Sequence, residues 1–141
     1  MISQILWGSL ILGFCTLIHL VMLLAWIRFL RHFQITEPQH ANVFRQFGVI
    51  GSALAMIILV HTIQVWIWAG SLVWSGAIAS QSDALYFALV TYTTVGYGDV
   101  TLSADHRIFG AMASVTGLLG FGISTAFLVG LLGKLFQRHL N

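Results

Sequence analysis

The sequence predicts an all-α membrane protein, and three observations lead to that fold class. Hydrophobic residues make up 58% of the 141 residues and charged residues only 7%, whereas a soluble domain carries about a quarter charged residues. Three charge-free apolar stretches are each longer than the roughly 20 residues that a transmembrane helix needs. A fourth uncharged stretch, 84–98, is too short to cross a bilayer and ends in Gly-Tyr-Gly, which predicts a re-entrant segment.

The first span is expected over about 2–27, within an N-terminal transmembrane element of residues 1–30. It contains no Lys or Arg and no small-residue cleavage pattern before Arg28, so a retained helix is favoured over a signal peptide. The single cysteine, Cys15, is interpreted as a small apolar residue within this span.

The second and third spans, about 46–74 and 108–133, flank the short stretch and form one unit with it. The expected boundaries are a unit of residues 46–135, with an outer helix over 46–76, a short helix over 82–93, an extended segment over 94–98 and an inner helix over 106–135. A linker of residues 31–45, which contains Pro38, and a tail of residues 136–141 complete the chain.

Basic residues predict the orientation in the membrane. Five of the six Lys and Arg residues lie in the linker and near the C-terminus, namely Arg28, Arg31, Arg45, Lys134 and Arg138. By the positive-inside rule, the linker and the C-terminus are cytoplasmic, and the N-terminus and the short stretch face outside. Trp66, Trp68 and Trp74, near the outer end of the second span, are expected to form an interfacial aromatic belt.

The short stretch combines a helix with a glycine-containing end. Ser82 is the expected N-cap, and Asp83 favours the positive end of the helix dipole. The helix enters from outside, so its C-terminal partial negative charge points into the membrane, where it favours a cation. Gly96 and Gly98 can adopt the positive φ angles that successive carbonyls need in order to face one axis, and Thr94 adds a hydroxyl oxygen.

Residues 93–99 read Thr-Thr-Val-Gly-Tyr-Gly-Asp. This string is the signature of tetrameric potassium channels, and residues 46–135 resemble the pore modules of bacterial two-helix channels and eukaryotic two-pore-domain channels. The resemblance implies a pore helix, a selectivity filter whose carbonyl oxygens replace the hydration shell of K⁺, and four copies around one axis. The K⁺ ligands that it implies are the carbonyl oxygens of Thr94, Val95, Gly96 and Tyr97 with the Thr94 hydroxyl, supported by Thr93, Gly98, Asp99, Tyr86 and Val90.

The resemblance also implies roles on the inner helix. Gly117 falls at the position of the family's hinge glycine, with Gly120 and Gly122 as alternatives. If Gly117 is that position, the residues matching the family's cavity lining are Leu118, Phe121 and Thr125.

Two departures from the family pattern concern the surroundings of the filter. Leu102 or Ser103 stands where the family often has a proline after the filter aspartate. Val90 stands where some two-helix channels have a glutamate that pairs with that aspartate. Asp99 therefore needs another partner, and we hypothesise that it is Tyr86.

The spans carry none of the several Arg or Lys residues of a voltage sensor, and the tail after Gly133 is too short for a ligand-binding domain. Three histidines are candidate pH sensors, because histidine changes charge near neutral pH: His19 and His61 within the spans and His106 beside the outer mouth. Counting about 1.5 Å per residue from the cytoplasmic ends puts His19 about 13 Å deep and His61 about 22 Å deep. Direct contact between His19 and His61 is therefore not expected.

The predicted function is passive conduction of K⁺ by a homotetramer in the plasma membrane, with no nucleic acid or small-molecule substrate as a partner. The net charge of +2 gives no nucleic-acid footprint, and no nucleophile–base pair or metal cluster indicates an enzyme. Two alternatives stay open: a weakly selective cation channel, and a non-conducting regulatory subunit of a larger channel.

Overall fold

The computed structural model describes residues 1–32 and 43–137. Its described part is all-helical, with α1 at Ile2–His32, α2 at Val43–Trp74, α3 at Gln81–Tyr92 and α4 at Arg107–Gln137. The sequence predicts the corresponding helices over 1–30, 46–76, 82–93 and 106–135. Most of the predicted linker, including Pro38, and residues 138–141 of the predicted tail lie outside the described residues.

Three of the four helices are long and apolar enough to cross a membrane, judged by length and composition: α1, α2 and α4. Their 31 or 32 residues correspond to roughly 46 Å of helix, which exceeds a hydrocarbon core of about 30 Å. The 12 residues of α3 correspond to only roughly 18 Å. The described part therefore fits an all-α membrane protein with three candidate spans and one short helix.

The first helix, α1, buries one face and exposes the other. The buried residues follow one another at spacings of about one or two helical turns and are Gly8, Cys15, His19, Leu23 and Leu30. The exposed face is also apolar, with Leu6, Leu10, Phe14, Leu17, Val21 and Leu24. An amphipathic helix in water would turn a polar face outward, so this apolar outer face suits lipid. The buried face packs against α2 and α4.

A side chain from α1 caps the beginning of α4. Gln4 Oε1 accepts hydrogen bonds from the backbone N–H groups of Ile108 at 3.1 Å and Phe109 at 3.4 Å, and Gln4 Nε2 donates to the Ala104 carbonyl at 3.2 Å. The first N–H groups of a helix have no partner within that helix. Gln4 therefore satisfies two of them and fixes the N-terminal end of α1 against α4.

The N-cap of α3 is Ser80, and the prediction of Ser82 is wrong. Ser80 has an extended backbone (φ −86°, ψ 127°), and its hydroxyl accepts a hydrogen bond from the Asp83 N–H at 3.4 Å. Ser82 lies inside the first turn, with its Oγ 2.8 Å from Ser80 Oγ. An N-cap side chain bonds an N–H two or three residues ahead, and Ser80 has that spacing from Asp83.

Trp68 lies in the protein core, so the predicted aromatic belt does not include it. Its side chain is fully buried, and its indole N–H donates to Thr116 Oγ1 at 3.1 Å. A buried indole needs such a hydrogen-bond partner, and α4 supplies it. Trp66 and Trp74 are exposed, and the Trp74 ring meets that of Trp7 edge to face at 6.1 Å.

Gly117 marks the closest approach between α4 and the end of α3. A Cβ atom at this position would lie 1.9 Å from the Tyr92 carbonyl oxygen and 2.9 Å from its carbonyl carbon. Both atoms belong to the backbone, so neither can rotate away. Small residues allow membrane helices to pack this closely, and α4 is continuous through Gly117.

We expect Gly117→Ala to destabilise the protein by roughly 1–3 kcal/mol, the usual cost of overpacking a core. Gly122→Ala is the matched control, because a Cβ at 122 would meet no atom within 4 Å, so it should show only the gain of roughly 0.5–1 kcal/mol that alanine has over glycine inside a helix. Thermal unfolding of both variants in detergent measures the difference. Equal losses in the two variants would contradict the close approach.

Candidate functional site

The loop of residues 93–99 continues directly from the C-terminus of α3. Its first N–H groups turn back onto α3: Val95 N donates to the Val90 carbonyl at 2.9 Å, and Gly96 N shares that carbonyl at 3.2 Å. The Thr93 hydroxyl donates to the Leu89 carbonyl at 2.7 Å. The donors at the start of the loop are thereby used within the chain. No hydrogen bond from the described residues reaches the carbonyl oxygens of residues 94–97.

The backbone of the loop has a positive φ at every second residue. The values are 62° at Thr94, 55° at Gly96 and 77° at Gly98. The two glycines adopt the left-handed conformation that the sequence predicts for them. Thr94 is a finding that the sequence did not indicate, since a residue with a Cβ pays roughly 1–2 kcal/mol there. Alternating backbone handedness brings successive polar groups onto one side of a chain.

The whole loop is exposed on this single chain. Tyr97 is 72% exposed and Val95 is 52% exposed, and a Cβ at Gly96 or Gly98 would meet no atom within 4 Å. Large apolar groups exposed together mark a surface that something else covers. A large part of the Val95 and Tyr97 side chains therefore has no packing partner among the described residues of the chain.

The outer end of the loop is tied to α3 through Asp99. The Tyr86 hydroxyl donates to Asp99 Oδ2 at 2.6 Å, so the hypothesised pair is in contact. The other carboxylate oxygen, Oδ1, accepts from the Val100 N–H at 3.1 Å. The hydrogen bond from Tyr86 lowers the pKa of the Asp99 carboxyl, and the same bond raises the pKa of the Tyr86 hydroxyl. Val90 lies in the same cleft between α3 and the loop, beside Asp99.

The residues predicted to line a cavity lie on an exposed side of α4. Leu118 is 61% exposed and Phe121 is 41% exposed, and Thr125 is exposed as well. Phe121 and Thr125 border a cavity of about 590 Å³ together with Thr93 at the start of the loop and His61 of α2. Leu118 is not among the lining residues of that cavity.

His19 and His61 are in contact, which corrects the sequence-based expectation. Their ring centroids lie 5.2 Å apart with an interplanar angle of 79°. The depth count placed only the Cα atoms, but helical side chains lean toward the N-terminus of their own helix. Because α1 and α2 run in opposite directions, the two imidazoles lean toward each other along the bundle axis, and the two rings converge.

The third histidine, His106, lies apart from this pair. Its Nδ1 is 3.2 Å from Ser103 Oγ, in the turn that precedes α4. It borders a separate cavity of about 320 Å³ with Trp7, Trp74 and Asp105. The three predicted histidines therefore lie in two places, His19 and His61 inside the helical bundle and His106 in the turn before α4.

Sequence reasoning missed the partners that surround the buried histidines. Gln64, Tyr92 and Ser124 each hydrogen-bond one or both rings. Polar residues within an apolar span were the available signal, since burying them in lipid is costly, and Gln64 carries that signal clearly. The sequence gives no comparable signal for Tyr92 and Ser124, because a tyrosine or a serine is common in such helices.

We expect Tyr86→Phe to raise the pKa of Asp99 toward its ordinary value of 3.8, because the carboxylate loses its strongest donor. Since the folded-state pKa is lowered, the stability from this bond is present above the ordinary value and is lost as the pH falls through the lowered pKa. Acidification from about pH 8 to about pH 5 should therefore leave the bond intact in the unsubstituted chain.

A titration of the aspartate carboxyl carbons by NMR tests this expectation. Ser82→Ala is the matched control, because it removes a hydroxyl from the same helix whose partner is Ser80 and not Asp99. An unchanged Asp99 titration in Tyr86→Phe, or an equal change in both variants, would contradict the assignment.

Comparisons with known proteins show the family of this chain. The sequence profile of a family described as "Ion channel" matches residues 49–134, which is more than half of the chain. A protein named "Voltage-gated potassium channel" from Aeropyrum pernix is 36% identical over 67 residues, 47% of this chain and 21% of that relative. The chain thus spans about a fifth of the length of that relative. No solved structure matches. From the profile match and the three apolar helices, the chain belongs to the ion channel family and is a multi-pass membrane protein.

Proposed function

We propose that four copies of this chain form a potassium-selective channel that conducts K⁺ passively through a central pore. The observation that carries the proposal is the row of carbonyl oxygens at residues 94–97, which no hydrogen bond from the described residues satisfies. A dehydrated cation needs such a set of uncharged oxygens in place of its hydration water. The carbonyls of Thr94, Val95, Gly96 and Tyr97 with the Thr94 hydroxyl are the proposed K⁺ ligands.

The proposal of a homotetramer rests on the ion ligands that a single chain cannot supply. A single loop lies on one side of an ion, so the remaining ligands must come from other copies. The exposure of Val95 and Tyr97 supports this assembly, because neighbouring subunits would cover those side chains. In the tetramer, α3 is the pore helix, residues 94–98 are the filter, and the exposed residues of α4, namely Leu118, Phe121 and Thr125, face the central cavity.

The supporting residues hold the two ends of the filter. At the inner end, the Thr93 hydroxyl caps a carbonyl of the last turn of α3, and the negative end of that helix dipole favours a cation nearby. At the outer end, the Tyr86–Asp99 bond ties the loop to the pore helix. Gly98, which directly precedes Asp99, supplies the positive φ at the outer end.

The proposed setting is the plasma membrane, with the N-terminus outside and the C-terminus cytoplasmic. The positive-inside rule supports this orientation, and α3 then enters from the outside as a re-entrant helix. Within the described spans, Lys and Arg occur only near the helix ends. A voltage sensor needs several such residues inside the membrane, so we propose conduction without steep voltage dependence.

The proposed gating elements are one glycine of α4 and three histidines. Gly117 is the proposed hinge of α4, although its contact with Tyr92 gives a packing reason for a glycine there. The proposed pH sensors are His106 at the outer end and the pair formed by His19 and His61 in the bundle. The similarity to the Aeropyrum pernix potassium channel supports the preference for potassium.

We expect the purified chain in liposomes to carry K⁺ down its gradient and to discriminate strongly against Na⁺. A flux assay with both ions decides between the proposal and its alternatives. Equal Na⁺ and K⁺ flux would indicate a weakly selective cation channel. No flux from the chain alone, with four copies assembled, would indicate a non-conducting subunit. A mass measurement of the detergent-solubilised particle gives the number of copies.

We expect Gly98→Ala to abolish K⁺ flux, because an alanine at φ 77° costs roughly 1–2 kcal/mol in each copy and the strain falls in the filter. Gly76→Ala is the matched control. Gly76 has nearly the same φ, 72°, and open space around its Cα, but it lies in the turn after α2. The liposome assay should show normal flux for Gly76→Ala. Loss of flux in both variants would point to general strain and would contradict a special role for Gly98.

A further inference from the structure

A closed ring of hydrogen bonds joins all four helices inside the bundle. Five side chains form this polar ring: His19 of α1, His61 and Gln64 of α2, Tyr92 of α3 and Ser124 of α4. Around the ring, Gln64 Nε2 lies 3.4 Å from His19 Nδ1, His19 Nε2 3.2 Å from Ser124 Oγ, and Ser124 Oγ 3.1 Å from His61 Nε2. His61 Nδ1 lies 2.7 Å from the Tyr92 hydroxyl, which donates to Gln64 Oε1.

One backbone carbonyl sets the direction of every bond in the polar ring. Gln64 Nε2 donates to the Cys15 carbonyl at 2.8 Å, which only the NH₂ side of the amide can do. The second hydrogen of that NH₂ group therefore points to His19 Nδ1, which must accept it. Gln64 Oε1 then faces Tyr92, whose hydroxyl donates to it. The orientation of the Gln64 amide therefore fixes the direction of the hydrogen bonds on both sides of it, toward His19 and toward Tyr92.

The two imidazoles must then carry their protons on different nitrogens. His19 accepts at Nδ1, so its proton is on Nε2 and is donated to Ser124 Oγ. The Ser124 hydroxyl passes its own hydrogen to His61 Nε2. His61 consequently carries its proton on Nδ1 and donates it to the Tyr92 oxygen. With both histidines neutral, every donor in the polar ring meets one acceptor.

Tyr92 connects the polar ring to the proposed filter. It is the last residue of α3, and Thr93 begins the loop. Its backbone carbonyl packs against Gly117, and a Cβ at Gly120 would lie 3.1 Å from its hydroxyl. Tyr92 therefore lies in a groove of α4 with its backbone end against one glycine and its hydroxyl end in the ring.

We propose that the polar ring makes Tyr92 a positioning residue for the selectivity filter and makes α1 part of the apparatus that holds the filter. This inference rests on the proposed potassium-channel function. The α1 and α3 helices share no close backbone contact in the described chain, so the ring is the polar route between them. A buried polar network specifies a unique arrangement only when all its members are satisfied, so loss of one member loosens the end of α3.

The first experiment measures the K⁺/Na⁺ permeability ratio from reversal potentials in reconstituted channels. Tyr92→Phe removes only the hydroxyl, and His19→Leu removes the member that α1 contributes. We expect both to lower the ratio by about tenfold, the factor that corresponds to one net hydrogen bond. Because both changes open the same ring, the double variant should lose little more than either single variant.

Thr116→Val is the matched control, because it removes an equally buried hydrogen bond between α2 and α4, that of Trp68, outside the ring. It should lower thermal stability but keep the wild-type permeability ratio. A wild-type ratio in Tyr92→Phe, or an equal fall in Thr116→Val, would overturn the positioning role. Absence of K⁺ flux from the unsubstituted chain would instead overturn the proposed function.

The second experiment tests the polar ring without any conduction. A chain labelled with ¹⁵N-histidine, in which His32, His40, His106 and His139 are replaced by Gln, retains only the two ring histidines. Its NMR spectrum at neutral pH should show one imidazole protonated at Nε2 and one at Nδ1. Gln64→Leu should let both imidazoles populate both tautomers, because it removes the amide that fixes the direction of the bonds around the ring. Two identical tautomers, or two imidazolium signals, in the chain that keeps Gln64 would overturn the assignment.

Discussion

A backbone carbonyl without a hydrogen-bond partner is costly in a membrane, and residues 94–97 present four such carbonyls in succession. In the hydrocarbon core, each polar backbone group must be satisfied by the protein, by water or by an ion. Helices satisfy their own carbonyls, and a loop in contact with lipid cannot. The loop is therefore tolerated only where it faces a hydrated or ion-filled axis. The proposed assembly of four copies would meet this constraint, and it would also cover the side chains of Val95 and Tyr97, which are exposed on the single chain.

The loop keeps its carbonyls free because its donors are used elsewhere. The Val90 carbonyl accepts two N–H groups of the loop, those of Val95 and Gly96, which folds the backbone back onto α3. The positive φ angles at Thr94, Gly96 and Gly98 then alternate with ordinary ones. Strain at Thr94 persists only because the surrounding contacts fix its conformation. The contact of the Tyr92 carbonyl with Gly117 is one of these constraints, since it fixes the end of α3 immediately before the loop.

Hydropathy alone was sufficient to predict the three long helices, because a span needs length and an apolar composition and little else. The string of residues 93–99 was sufficient to predict positive φ at the two glycines, since few other residues adopt that conformation at low cost. The same string could not predict the positive φ of Thr94, because the conformation of that residue depends on contacts with α3. Nor could linear spacing show that Trp68 is buried, because Trp66 and Trp74 in the same segment are exposed.

The contact between His19 and His61 was mispredicted for a different reason. Counting residues along two antiparallel helices gives the heights of Cα atoms, whereas imidazoles extend several ångströms along the helix axes in opposite directions. The partners Gln64, Tyr92 and Ser124 lie on α2, α3 and α4, and Ser124 is 105 residues away from His19 in sequence. Only the packing of the four helices brings these side chains together.

The relation of α1 to the rest of the chain follows from the same contacts. The family profile begins at residue 49, so α1 lies outside the matched region. Yet Gln64 within that region donates to the Cys15 carbonyl of α1, and Ser124 accepts from His19. Buried polar groups that lose their partners are destabilising, so these side chains suit a bundle that contains α1. Together with the cap that Gln4 places on α4, they make α1 a structural member of the channel unit, held by polar contacts near its N-terminus and in its middle.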